Sequence, residues 1–116
     1  MKKDKLEMYL SKLKGSEGSF PFGPEALVFK VMSKMFALVS QKEDVTRLTL
    51  KCSPADAKVL VDLHESVVPG YYMNKKHWVT ILLNGELPEK MITDLAKQSY
   101  ELVVKKLTKA DRNKLE

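Results

Sequence analysis

The sequence predicts an α+β fold, an antiparallel β-sheet backed by helices in the order α-β-β-β-α-β-α, and three observations predict it. Strand-like runs follow one another across very short polar turns; residues 46–52 alternate between apolar and polar; and both ends of the chain carry apolar residues at helical spacing. Short connections permit only antiparallel pairing, and the flanking helical patterns supply the layer that covers the sheet.

Leu6, Tyr9, Leu10 and Leu13 recur at i, i+3, i+4 and i+7, which gives an N-terminal helix one apolar face. Asp4, with Glu7 three residues on, is placed to cap its start, and Gly15 to stop it. Residues 15–23 are rich in Gly, Ser and Pro and read as a loop. Residues 27–32 and 35–39 read as two strands joined by a tight hairpin at Ser33-Lys34, and Gln41-Lys42-Glu43-Asp44 as a second turn. In residues 46–52, Leu48, Leu50 and Cys52 take one side and Arg47, Thr49 and Lys51 the other, the pattern of a sheet with one buried and one wet face.

Ser53-Pro54-Ala55-Asp56 combines a capping serine, a proline at the first helical position and an acid at the third, and so predicts a helix start. Val59, Leu60 and Leu63 are its expected buried stripe. Residues 65–77 read as irregular, broken by Pro69-Gly70. Residues 78–83 form a fourth strand that ends at the Asn84-Gly85 turn. Pro88 opens the longest helix, in which Ile92, Leu95, Ala96, Ser99, Leu102, Val103 and Leu107 share a face; the polar tail from Lys105 either frays or continues helical.

At 116 residues and 13.2 kDa the chain suits one domain, residues 1–116, with a hydrophobic core that needs no staples. The 44% apolar and 30% charged fractions are those of a globular protein. No apolar run approaches the length of a membrane span, and no secretory h-region follows the basic N-terminus. Cys52, the single cysteine, has no internal disulfide partner, so the expected location is the reducing cytoplasm.

Catalytic motifs are sparse. His64 and His77 stand thirteen residues apart without metal-ligand spacing, so no metal and no cofactor is expected, and nothing places a nucleophile beside a base. The chain has neither a phosphate loop nor a dinucleotide fingerprint. A binding protein is therefore expected rather than an enzyme.

The net charge of +5 and pI of about 9.3 favour a polyanionic partner. Of 20 basic residues only Arg47 and Arg112 are arginines, so lysine–phosphate contacts should outweigh base reading. The strand phases gather Lys30, Arg47 and Lys51 on the outer sheet face, with Trp78 either beside them or in the core. Lys34 stands at the hairpin, and Lys75-Lys76-His77-Trp78 forms the densest basic-aromatic cluster. The expected DNA contacts are thus Lys30, Lys34, Arg47, Lys51, Lys75, Lys76, His77 and Trp78. The basic termini, Lys2, Lys3 and Lys5 with Lys105, Lys106, Lys109, Arg112 and Lys114, would extend that patch. The alternative is a monomeric module that takes a small anionic ligand or a protein partner in a pocket between the Tyr71–Trp78 loop and the sheet.

Three runs, Met73-Asn74-Lys75-Lys76-His77-Trp78-Val79-Thr80, Asn84-Gly85-Glu86-Leu87-Pro88 and Ser99-Tyr100-Glu101-Leu102-Val103, resemble the MmcQ/YjbR-like family of small bacterial proteins. Lys30-Val31, Lys34-Met35-Phe36-Ala37 and Ser53-Pro54 continue the likeness upstream. The resemblance implies a fold like that of CyaY, the bacterial frataxin, in a double-wing arrangement, and a DNA-binding role. Met32-Ser33 replaces the Gly-Gly hairpin tip common in the family. The first helix, rich in lysine, lacks the acidic ridge through which frataxins bind iron, so iron binding does not carry over.

Overall fold

The alternating and helical stretches assemble around one six-stranded sheet in a computed structural model, which describes residues 1–70, 74 and 76–115. In chain order the elements are α1 (Lys3–Ser11), β1 (Ser16–Ser19), β2 (Ala26–Val31), β3 (Lys34–Lys42), β4 (Val45–Lys51), α2 (Pro54–Leu63), β5 (Val67–Pro69), β6 (Trp78–Leu82), α3 (Glu89–Lys105) and α4 (Lys109–Leu115). The strands lie in the order β1-β2-β3-β4-β6-β5, and every neighbouring pair is antiparallel. The α+β class holds, with an antiparallel sheet backed by helices.

Two hairpins build the centre of the sheet. Met32-Ser33 turns β2 into β3 with φ of 49° and 67°, and Glu43-Asp44 turns β3 into β4 with φ of 54° and 64°. Paired positive φ values are what a two-residue turn needs to match the right-handed twist of the strands. Both turns are achieved here without glycine. Between the hairpins the β2–β3 register slips: Phe29 faces Ala37, but Lys30 faces Met35, leaving Phe36 as the extra residue of a bulge. The bulge turns two consecutive side chains, Phe36 and Ala37, into the core, where the Phe36 ring meets Tyr100 edge-on at 5.3 Å.

One sheet face carries Phe29, Val39, Leu48, Leu50 and Ile81 against Leu6 and Leu10 of α1 and Ile92, Ala96 and Val103 of α3, all buried. The α3 stripe matches its spacing. Ser53 caps α2 as expected, its Oγ accepting from the Asp56 N–H at 3.3 Å with Pro54 in the first turn.

Several expectations change. The N-cap of α1 is Lys2, with no side-chain cap, and Asp4 sits inside the first turn, where it favours the helix dipole instead. The loop expected at residues 15–23 contains β1, and the irregular stretch at 65–77 contains β5. Ser16-Glu17-Gly18-Ser19 carries no apolar residue, so only the waiting edge of β2 makes it a strand. Pro69 is tolerated because β5 is an edge strand, where a missing N–H breaks no ladder bond. The tail beyond Lys105 turns and restarts as α4, with Thr108 Oγ1 accepting from the Asp111 N–H.

The stripe expected in α2 is out of phase. Val59 and Leu63 are 54% and 70% exposed, while Ala57 is buried and Leu60 and Val61 are half-buried. Five of the residues from 57 to 63 are apolar, so periodicity alone does not choose among overlapping stripes, and packing against β5 and β6 does.

The second sheet face is not wet throughout. Arg47, Thr49 and Lys51 do point away from the helical layer, but Val28, Leu38, Thr49 and Thr80 form a row across it and are buried. Thr49 Oγ1 and Thr80 Oγ1 lie 2.9 Å apart, each satisfying the other's polar atom across β4 and β6.

Candidate functional site

Strand direction decides where the cations gather. β2 and β4 end, and β3 and β6 begin, at one end of the sheet, because neighbours are antiparallel. Lys30 and Lys34 therefore flank the Met32-Ser33 tip, and Lys51 pairs with Trp78 at the same end. Lys76 and His77 lead into β6 there. The His77 carbonyl accepts from the Cys52 N–H at 2.8 Å, and Asn74 Oδ1 accepts from the Lys76 N–H at 2.9 Å.

The helices add to this end. The Tyr100 hydroxyl donates to the Lys14 carbonyl, which ties the end of α1 to the last turns of α3. Leu115 of α4 lies beside Gly15 and Val31. Lys12 and Lys14 after α1, Lys105 and Lys106 at the end of α3, and the lysines of α4 consequently surround the same end. Burial lowers the Lys51 pKa from 10.5, and the Lys106 charge lowers it further, as expected where cations crowd. Glu17, opposite Lys30, together with Asp56 and Asp111, partly offsets the charge. The opposite end mixes both signs: Glu25, Glu43, Asp44, Glu86 and Glu89 share it with Lys42, Lys90 and Lys5, whose Nζ lies 2.7 Å from Glu89 Oε2.

The sequence-predicted residues thus divide. Lys30, Lys34, Lys51, Lys76, His77 and Trp78 come to one end. Arg47 does not join them: it stands four residues up β4 from Lys51, roughly 13 Å away at ~3.3 Å per residue, opposite Ser40 and Leu82. Lys75 lies outside the described residues, as do Tyr71, Tyr72 and Met73, so the pocket expected under the Tyr71–Trp78 loop falls outside them too. Trp78 is half-buried on the second face, between the core and exposed alternatives. Gly70 packs against it so closely that an added Cβ would stand 2.7 Å from the Trp78 Cβ. Of the basic termini, the C-terminal group joins the basic end, whereas Lys5 is paired at the other end. Lys12 and Lys14 are additions that the sequence signalled only through the direction of α1.

Arg47 lines a different feature. On the second face a cavity of about 690 Å3 opens between the sheet and the loop before β2, with Phe22, Glu25, Leu38, Ser40, Arg47, Thr49 and Thr80 among its walls.

Elsewhere the titratable groups are dispersed. His64 and His77 lie at opposite ends of β6: Ser66, beside His64, meets Leu82, while His77 precedes Trp78. His64 Nδ1 is 3.4 Å from Glu86 Oε2. Cys52 is buried and its pKa is raised, first by desolvation and then by Asp56, the wrong direction for a thiolate nucleophile. Among the described residues no three His, Cys, Asp or Glu side chains converge on a possible metal position, and no helix is long and apolar enough to cross a membrane.

Comparison with known proteins gives this architecture a family. The chain is 38% identical over 96 residues to the protein YbdF of Escherichia coli O157:H7, covering 83% of this chain and 79% of that one. It is 34% identical over 110 residues to the protein YjbR of E. coli K12, covering 95% and 93%. The crystal structure of the Deinococcus radiodurans protein DR2400 superposes with a TM-score of 0.89 at 44% identity, over 97% of this chain and 86% of that one. The YjbR family model matches residues 11–102, from the end of α1 through most of α3. By sequence over most of its length and by fold over nearly all of it, the chain belongs to the YjbR family.

Proposed function

We propose that the chain is a non-enzymatic nucleic-acid-binding protein that grips the phosphate backbone of DNA with the basic end of its sheet. The observation that carries this reading is the gathering of cations at one end: Lys30 of β2, Lys34 of β3 and Lys51 of β4 come together there with Lys76 of the loop before β6 and Lys106 at the C-cap of α3. A polyanion laid across this end would relieve the mutual repulsion of Lys51 and Lys106, which neither side chain can relieve alone. Lysines act as point charges for phosphate, so binding is expected to depend little on sequence. Ser33 and Lys34 at the β2–β3 turn are exposed, which leaves the Lys34 ammonium open to a phosphate. The lone buried Cys52 suits a cytoplasmic setting.

The test is a fluorescence-anisotropy titration of labelled duplex DNA over a salt series. If four to five phosphates are engaged, log affinity falls against log salt with a slope of about −4. A Lys34→Ala/Lys106→Ala double variant should lower that slope by about 2 and weaken all duplex sequences alike, as each lysine lost removes about one released counterion. Arg47→Met should leave binding unchanged, since it stands outside the basic end. No binding at low salt would overturn the proposal.

A further inference from the structure

We infer that the cavity on the second sheet face is a binding site for a small organic anion with a flat apolar body, separate from the basic end. Its volume of about 690 Å3 falls in the usual range for ligand pockets, ~300–1,000 Å3. Its floor is the buried row of the sheet: Leu38 gives an apolar surface, and the Thr49 and Thr80 hydroxyls, bonded to one another, leave that floor polar at one spot without charge. Such a floor favours a body that is mostly apolar.

The walls add charge and an aromatic plane. Among the described residues, Arg47 and Lys42 face the cavity against one acid, Glu25, so that part of the lining is net positive. A guanidinium on a half-buried strand offers a planar fork that fits a carboxylate or sulfonate better than a lysine would. Phe22 stands at the rim, 76% exposed, on a loop punctuated by Pro21, Gly23 and Pro24. A ring held in water beside an apolar cavity regains burial when it covers a flat ligand. Helices α1 and α3 occupy the other sheet face, so the cavity does not compete with core packing.

The probes are 8-anilinonaphthalene-1-sulfonate and its uncharged analogue N-phenyl-1-naphthylamine, each titrated by fluorescence into the full chain. Saturable one-to-one binding is expected, the anion binding tighter. Arg47→Met should weaken the anion about tenfold or more, the worth of a charged hydrogen bond, and leave the neutral probe unchanged. Ser40→Phe, which fills the cavity from the floor, should abolish both while the circular dichroism spectrum stays native. Should Arg47→Met unfold the chain, Phe22→Ala replaces it: the residue is exposed, and its loss should weaken both probes severalfold. Non-saturable binding, or probe affinity untouched by Ser40→Phe or Phe22→Ala, would overturn the inference. So would an equal loss of both probes in folded Arg47→Met.

Discussion

The Ser99 hydroxyl on α3 donates to the carbonyl of Phe36, the bulge residue of β3, at 2.6 Å, in a fully buried setting. The same Oγ accepts from the Lys51 N–H at 2.8 Å, so a single side chain satisfies one backbone group on each of two strands. A bulge leaves a residue outside the ladder, and its carbonyl needs a partner from elsewhere. Ser99 supplies it and thereby fixes α3 against the end of the sheet that carries Lys51 and Lys106.

Ser99→Ala should therefore destabilise the fold by about 2 kcal/mol or more, because two buried backbone groups lose their partner at ~1–3 kcal/mol each. Urea unfolding checks this: the midpoint should fall at unchanged slope. An unaltered midpoint would mean that the bulge carbonyl needs no side-chain partner.

Glu86 couples stability to acid. Ser66, whose N–H donates to Oε1 at 2.8 Å, and then His64 hold its carboxyl below the ordinary value of 4.5. The folded state thus prefers the ionised form, and the stabilisation is present above pH 4.5 and lost as pH falls through the lower folded value. Thermal melts of Glu86→Gln and the parent chain should differ at neutral pH and converge in acid. A gap that persisted at every pH would show that the carboxylate's charge is not what matters.

Gly70 donates its N–H to the Trp78 carbonyl at 2.9 Å, and an added Cβ would stand 3.0 Å from that carbonyl's carbon and oxygen. The Trp78 backbone belongs to β6 and cannot retreat without breaking its ladder. Gly70→Ala should cost about 1–3 kcal/mol, the usual cost of overpacking. Denaturant titration alongside Gly85→Ala separates steric crowding from φ strain, because Gly85 has positive φ but open space around its Cβ position.

The Met32-Ser33 turn holds two L-residues at positive φ, a conformation costing roughly 1–2 kcal/mol each for side chains without a local hydrogen bond. Met32→Asn/Ser33→Gly should raise the melting temperature, since Asn-Gly is the dipeptide this turn prefers. DNA affinity should not change if Lys30 and Lys34 alone supply the contacts of the hairpin. A lower melting temperature would mean that Met32, half-buried against the core, contributes more than the turn loses.

Much of the fold was legible because its signals are local. The period-two pattern of residues 46–52 set the sides of residues 47–51 of β4, and Ser53-Pro54 marked the start of α2 through its own hydrogen bond. β1 was not legible, since Ser16-Glu17-Gly18-Ser19 has no apolar phase and becomes a strand only by pairing with β2. The α2 stripe was misplaced because apolar residues surround that helix and only its neighbours select Ala57, Leu60 and Val61. The second sheet face was read as wet because polar Thr49 and Thr80 look like surface residues until their hydroxyls meet.

By itself, then, the sequence determined the helical and alternating segments, the excess of lysine and the absence of spaced metal ligands, because each depends on composition or on a backbone period of 3.6 or 2. The tertiary structure alone decided which lysines share an end and which residue lines the cavity. Arg47 and Lys51 point to the same face, yet strand length places one at the cavity and the other beside Lys106. Lys14, far from α3 in the chain, is brought beside that helix because the Tyr100 hydroxyl donates to its carbonyl. Charge acts through space, and distance through space is set by strand direction, register and helix docking, none of which a local period encodes.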